Sequence, residues 1–288
     1  MGDYDAKKLA SLLPFPPQDA HKYSRGTLIM FAGSSRYPGA ALLSAWASQR
    51  AGAGYTQVFT VEKALPLLQA ARPSLVVRSD KELSDSDFIV SKLGRPCAYM
   101  VGSGFEAGKK RSFAITSRVL KMADAPVLLD GGALHALTAA ENQTQCALRK
   151  QKGLATLITP HYGEAMALAQ GLGLAKSDPM HLAYDLALSC ASITVVKGPE
   201  SFISDGEKVF SISLGSPALA KAGTGDVLAG MIGAFLAQGI EAFDAAMLGV
   251  SVHARAGCQA ENKLTSIAVS AEDVIEFIPA AFKELMGS

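Results

Sequence analysis

From about residue 27 onward, short apolar and β-branched runs alternate with longer stretches of helical character, and this alternation constrains the fold more than any other feature of the chain. Parallel strands have to be joined by crossovers, most often helices, so strand-helix alternation is the order a parallel sheet requires. The strand-like runs cover residues 27–32, 55–61, 99–101, 126–129, 156–158 and 193–196. Most are apolar at nearly every position instead of every second one, which predicts that helices cover both faces of the sheet. The expected fold is a three-layer α/β architecture with a mostly parallel central sheet.

Two further runs, Ser201-Phe202-Ile203-Ser204 and Val209-Phe210-Ser211-Ile212, flank Asp205-Gly206-Glu207-Lys208. An Asp-Gly turn between such runs predicts a hairpin. Beyond it, Val227, Leu228, Met231, Ile232, Phe235 and Leu236 recur at helical spacing, as do Ala245, Ala246, Leu248, Gly249, Val252 and His253, so the last third is expected to be mainly helical. With 49% hydrophobic and 18% charged residues the chain can bury a large core. Its length fits one large domain or two small ones; no change of composition marks a linker, and one domain over 1–288 is expected. The first twenty residues, with Pro14, Pro16 and Pro17, are expected to lie over the surface.

The formal charge of +1 lacks the one-sided basic character of proteins that track nucleic acid or anionic membranes, so neither is expected as a partner. Lys109-Lys110-Arg111, the densest basic run, reads as a solvated helix face. The longest uncharged apolar stretch, 227–240, is too short to span a bilayer. No secretory pattern opens the chain, and a cytoplasmic location is expected. Cys97, Cys146, Cys190 and Cys258 form no C-x-x-C pair, which argues against a zinc site or a disulfide framework. His21, His135, His181 and His253 share no ligand spacing and read as surface or packing residues.

The most informative motif is Gly223-Thr224-Gly225-Asp226, directly ahead of an apolar helix. Amides at a helix start are unpaired and carry the positive end of the dipole, and glycines let a phosphate approach them closely. Asp226 adds negative charge at that point, which suits a base taking the proton of a hydroxyl that attacks the phosphate. The competing explanation is a plain helix cap, which aspartate also provides. No G-x-x-x-x-G-K-[ST] motif occurs, which sets aside a P-loop enzyme. Gly102-Ser103-Gly104-Phe105-Glu106-Ala107 matches a loose dinucleotide fingerprint, but it falls a third of the way along the chain and serves equally as a tight turn after a strand.

Taken together, several blocks resemble the NAD(P)H-hydrate dehydratases, relatives of ribokinase and of small vitamin-precursor kinases. They are Gly33-Ser34-Ser35 through Tyr37-Pro38-Gly39-Ala40, Arg50-Ala51-Gly52-Ala53-Gly54, Gly102-Ser103-Gly104, Thr159-Pro160-His161-Tyr162-Gly163-Glu164, Val196-Lys197-Gly198 and the stretch 222–230. The resemblance implies a ribokinase-like fold. It also implies that ADP, or less favourably ATP, phosphorylates the hydroxyl of hydrated NADH or NADPH, and that loss of phosphate restores the reduced cofactor. Magnesium would accompany the nucleotide. Asp226 would be the base at the hydroxyl, with Ala40, Gly104 and His161 also at the hydrated nicotinamide nucleotide. Lys197, Gly198, Pro199, Glu200 and Ser201, together with Gly223, Thr224 and Gly225, would face the adenine nucleotide. A homotetramer is expected on the same ground. About twenty-six residues precede the first strand, so the epimerase domain carried by some members is expected on a separate chain.

The chain also departs from that pattern. Asp130-Gly131-Gly132-Ala133-Leu134 stands where Asp-Ala-Asp-Ala-Leu is usual, Gly102-Ser103-Gly104-Phe105 replaces Gly-Pro-Gly-Leu, and Gly215-Ser216-Pro217-Ala218-Leu219 lacks the usual asparagine and methionine. His161 can cap a helix, and Lys197-Gly198 can simply end a strand. Two other readings therefore stay open: a small-alcohol kinase of the same fold, acting on a hydroxymethylpyrimidine or thiazole, and a non-catalytic nucleotide-binding protein.

Overall fold

The computed structural model of the chain describes residues 5–287. The expectation of one domain over 1–288 therefore takes in residues 1–4 and 288, which lie outside the described residues. The strands are β1 (Thr27–Phe31), β2 (Tyr55–Thr60), β3 (Val76–Ser79), β4 (Cys97–Val101), β5 (Val127–Leu129), β6 (Thr156–Ile158), β7 (Ile193–Val196), β8 (Ser201–Ser204) and β9 (Val209–Ile212). They form a nine-stranded sheet in the order β3-β2-β1-β4-β5-β6-β7-β8-β9. Pairing is parallel from β3 through β7 and antiparallel from β7 to β9. The Asp-Gly hairpin is the β8-β9 pair, with Ser204 opposite Val209.

The helices are α1 (Ala6–Ser11), α2 (Pro38–Arg50), α3 (Leu65–Ala71), α4 (Lys110–Met122), α5 (Ala140–Gln151), α6 (Tyr162–Gly171), α7 (Pro179–Ser189), α8 (Thr224–Ala237), α9 (Ala242–Leu264) and α10 (Ala271–Met286). They lie on both faces of the sheet, which completes the three layers. Alternation along β1 shows why nearly every strand position is apolar. Leu28 and Met30 enter one core with residues of α2, α8, α9 and α10, while Ile29 and Phe31 enter a second with residues of α4 to α7.

Helix α8 is buried on every side from Val227 to Ala237, as an all-apolar helix must be. Gly230 permits its close crossing with α2, because a Cβ there would run into the Ser44 backbone. The residues at the start of α8 are therefore carried on a rigid element. Helix α1 interrupts the surface segment expected at the N-terminus, and it buries Leu9 in the core that also holds α10. No helix among the described residues is long and apolar enough to cross a membrane.

Candidate active site

In open parallel sheets, ligands bind beyond the carboxyl ends of the strands, where the strand order reverses. Here the order reverses between β1 and β4, and the chemistry-bearing residues follow the carboxyl ends of β4 to β7. Ser103 lies just beyond β4, Asp130 directly after β5, Thr159 after β6 and Lys197 after β7. Lys197 Nζ sits 2.8 Å from Asp130 Oδ1. Thr159 Oγ1 donates to the same oxygen at 2.8 Å, and Ser103 Oγ donates to Asp130 Oδ2 at 3.5 Å.

The start of α8 closes over this group. Gly223 precedes the helix with φ +94°, a left-handed conformation, and a Cβ there would lie 2.6 Å from Leu43 Cδ1. Thr224 Oγ1 ties the turn down by donating to the carbonyls of Leu219 at 2.7 Å and Lys221 at 2.9 Å. Gly225 lies close to the lysine: a Cβ there would stand 3.2 Å from Lys197 Nζ. Asp226 occupies the third helical position. Gly223 stands at the cap of α8 and no side-chain cap hydrogen bond is made there, so Asp226 does not cap the helix.

One lysine thus faces several carboxylates, and the charge balance is short by at least one cation. Burial, then the neighbouring charge of Asp130, pushes the Asp226 carboxyl up to about 7, with Glu164 adding to the rise while Ser103 and Lys197 oppose it. Burial alone would lower Lys197, but Asp130, Glu164 and Asp226 outweigh it and hold the ammonium above its usual range. A carboxylate poised near neutrality, half-buried next to a fixed cation, suits proton abstraction at physiological pH. Burial also lowers His253 to about 4. It lies within α9, hydrogen-bonded to the backbone of Thr224, and is neutral there.

A cleft of about 570 Å³ adjoins the site, lined among others by Tyr37, Gly104, Glu106, His135 and Glu164. Its floor explains two of the residues singled out in the sequence. Gly104 has φ +74°, and a Cβ on it would lie 2.5 Å from the Tyr37 carbonyl oxygen and 2.9 Å from the Ala40 Cβ, so the turn packs closely against the start of α2. At Gly132, where the family pattern has its second acid, a Cβ would come within 2.9 Å of the Phe105 Cβ. The Phe105 backbone closes that position, its carbonyl oxygen 2.4 Å from where the Cβ would stand, and Glu106 and Glu164 are acids that line the cleft.

The remaining positions divide. His161 caps α6: its Nδ1 accepts from the Glu164 amide at 3.2 Å, and Glu164 accepts from the His161 amide at 2.9 Å. Lys197 parts company with the four residues after it. Its side chain turns into the carboxylates, whereas Gly198, Pro199 and Glu200 are exposed at the β7-β8 turn. Glu200 accepts from Ser213 Oγ at 2.9 Å, and Ser201 is buried. His135 is exposed and lines the cleft. One surface reading needs correction. Arg111 is not part of a solvated face, since it pairs with Asp80, donates to the Gly33 carbonyl at 3.1 Å and stands over the Phe105 ring. Sequence reasoning passed over Ser103, Thr159 and Asp130 as site residues; their shared signal is position immediately beyond a parallel strand.

The sequence model of NAD(P)H-hydrate dehydratase matches residues 28–280. The chain belongs to this family. The ADP-dependent (S)-NAD(P)H-hydrate dehydratase of Xanthomonas campestris is 30% identical over 280 residues, covering 94% of this chain and 93% of that protein. The bifunctional NAD(P)H-hydrate repair enzyme of Thermofilum pendens is 27% identical, and the match covers 95% of this chain but only 53% of that longer protein. In fold, this dehydratase-family chain superposes on the ADP/ATP-dependent NAD(P)H-hydrate dehydratase of Bacillus subtilis, co-crystallised with ATP and magnesium, with a TM-score of 0.81. That match covers 98% of this chain and 97% of the other at 24% identity, and the ribokinase-like architecture expected from sequence is the one observed.

Proposed function

We propose that this chain, as a single catalytic domain, repairs hydrated NADH and NADPH by transferring a phosphoryl group to the hydrate hydroxyl and releasing phosphate. The observation that carries the reading is Asp226: a half-buried carboxylate with its proton affinity raised to near neutrality, at the start of a buried helix, beside Lys197. Family membership makes it specific. The hydrate would occupy the cleft at Ala40, Gly104 and His161, with its hydroxyl at Asp226. The terminal phosphates of the nucleotide would meet the amides at the start of α8, at Gly223, Thr224 and Gly225. Gly198, Pro199, Glu200 and Ser201 would border the adenosine half, while Lys197 would lie nearer the transferred group.

Asp226 takes the hydroxyl proton as the oxygen bonds to the terminal phosphorus, and the bond to the leaving nucleotide breaks. With ADP as donor the leaving nucleotide is AMP. The carbon–oxygen bond then breaks with its electron pair on phosphate, a ring proton departs, and the reduced nicotinamide is restored. Positioning and electrostatics do most of this work in phosphoryl transfer. Among the described residues no group of three or more His, Cys, Asp or Glu side chains is arranged to hold a metal. Magnesium is accordingly read as part of the nucleotide substrate, carried on its phosphates. ADP is the favoured donor. The enzyme would work in the cytoplasm, as a homotetramer, alongside a separate epimerase that interconverts the hydrate forms.

Product analysis separates this reading from a small-alcohol kinase. Repair releases inorganic phosphate and leaves no phosphate ester, whereas a kinase leaves a stable ester. A cleft of about 570 Å³ is within the range that takes a drug-sized ligand, more room than a small alcohol needs. His161→Ala is expected to raise the KM for hydrated cofactor several-fold with less effect on kcat. An unchanged KM would leave His161 with its capping role alone.

A further inference from the structure

Arg111, the second residue of α4, ties together three other parts of the chain. Its Nε donates to Asp80, directly after β3, and its Nη1 donates to the carbonyl of Gly33, just beyond β1, at 3.1 Å. Its Cζ lies over the Phe105 ring, 4.8 Å from the centroid. The Arg111 and Asp80 side chains are only 28% and 14% exposed, so water weakens their pairing less than it does a surface ion pair.

Gly33 and Phe105 belong to the two turns from which the cleft is built. The Gly33 amide donates to the Ser103 carbonyl at 2.7 Å, and a Cβ on Gly104 would lie 3.1 Å from the Gly33 Cα. Ser34 Oγ accepts from the Tyr37 amide at 3.1 Å, which leads the first turn into α2 and Ala40. Tyr37, Gly104 and Phe105 line the cleft, and Arg111 stands behind them. A guanidinium is a planar fork with donors at fixed angles. With one arm held by Asp80 and one face against Phe105, the other arm is aimed at Gly33.

We propose that Arg111 is a positioning residue for the hydrated nicotinamide nucleotide: it sets the two turns that carry Ala40 and Gly104 without touching the substrate itself. The inference rests on the hydrate occupying this cleft. Gly33, Asp80 and Phe105, the partners of Arg111, are not positions assigned to the adenine nucleotide. Loss of the clamp therefore weakens hydrate binding and spares nucleotide binding.

Wild type, Arg111→Met, Arg111→Lys and Asp80→Asn are compared by calorimetric binding of hydrated NADH and of magnesium-ADP, each alone, and by steady-state kinetics with the two together. Arg111→Met is expected to weaken hydrate binding and raise its KM by about tenfold, the size expected for losing a hydrogen bond from a charged group. Its kcat should change by less than about threefold, and its ADP affinity should stay as in wild type. Arg111→Lys keeps the charge but replaces the fork by a single point of attachment, and Asp80→Asn removes the charge that orients it. Both are expected to fall between wild type and Arg111→Met, and they carry the test should that variant fail to fold. Hydrate affinity unchanged in all three, or hydrate and ADP affinity lowered alike, would overturn the role and leave Arg111 to the fold. Weaker hydrate binding in the variants, with no turnover even in wild type, would remove the repair reaction but keep Arg111. A wild type that binds no hydrate would remove both.

Discussion

Asp226→Asn is expected to slow turnover by roughly 10²- to 10⁴-fold, the range for losing a general base, while nucleotide affinity changes little. The amide keeps the shape of the side chain but cannot take a proton. The same substitution is expected to stabilise the fold at alkaline pH. Asp226 binds its proton more tightly folded than unfolded, having been raised from 3.8 to about 7. The stability linked to that proton is complete below the unfolded value and is lost as pH rises through the folded one. Thermal melts should therefore place the variant above wild type at about pH 8 and closer to it near pH 5. Near-normal turnover would return Asp226 to the status of an ordinary helix residue.

Lys197→Met is expected to damage both stability and activity. Lys197 is the ammonium that Asp130 pairs with at 2.8 Å, and Asp226 feels it as well. Removing one partner of a buried pair leaves uncompensated charge, typically at about 3–5 kcal/mol. Asp130 and Asp226 would then face each other with no cation between them, and the pair would hold a proton to higher pH. Urea unfolding should accordingly show the larger loss near pH 8 and a smaller one near pH 6. Turnover should drop by at least about a hundredfold, since the base is then protonated over the working range. A variant of unchanged stability at both pH values would show that Lys197 does not neutralise the acids.

The parallel sheet was legible because β1, β4, β5, β6 and β7 are apolar at nearly every position, and the β8-β9 hairpin because its turn is Asp-Gly. β3 escaped notice for the opposite reason. It is an edge strand of four residues that carries Arg78, which pairs with Asp87 at 2.9 Å, so it lacks the two-sided apolar signal. At the site, Asp226 was readable because glycines and acid are contiguous. Asp130, Ser103 and Lys197 come from separate strand ends, and only the sheet order brings them together. Lys197 illustrates the limit: its neighbours suggested a nucleotide-facing turn, yet the direction of its side chain is decided by Asp130, 67 positions away in sequence. Arg111 is the same case, drawn from a basic run toward Asp80 and the Gly33 carbonyl.

Absorbance of the reduced nicotinamide, followed after mixing the protein with hydrated NADH, magnesium and either ADP or ATP, tests the central claim most directly. Recovery of the band, with ADP the more effective donor and inorganic phosphate released in step, is the result expected. No recovery with either nucleotide, despite measurable nucleotide binding, would contradict the repair reaction and leave the site to a kinase or to binding alone.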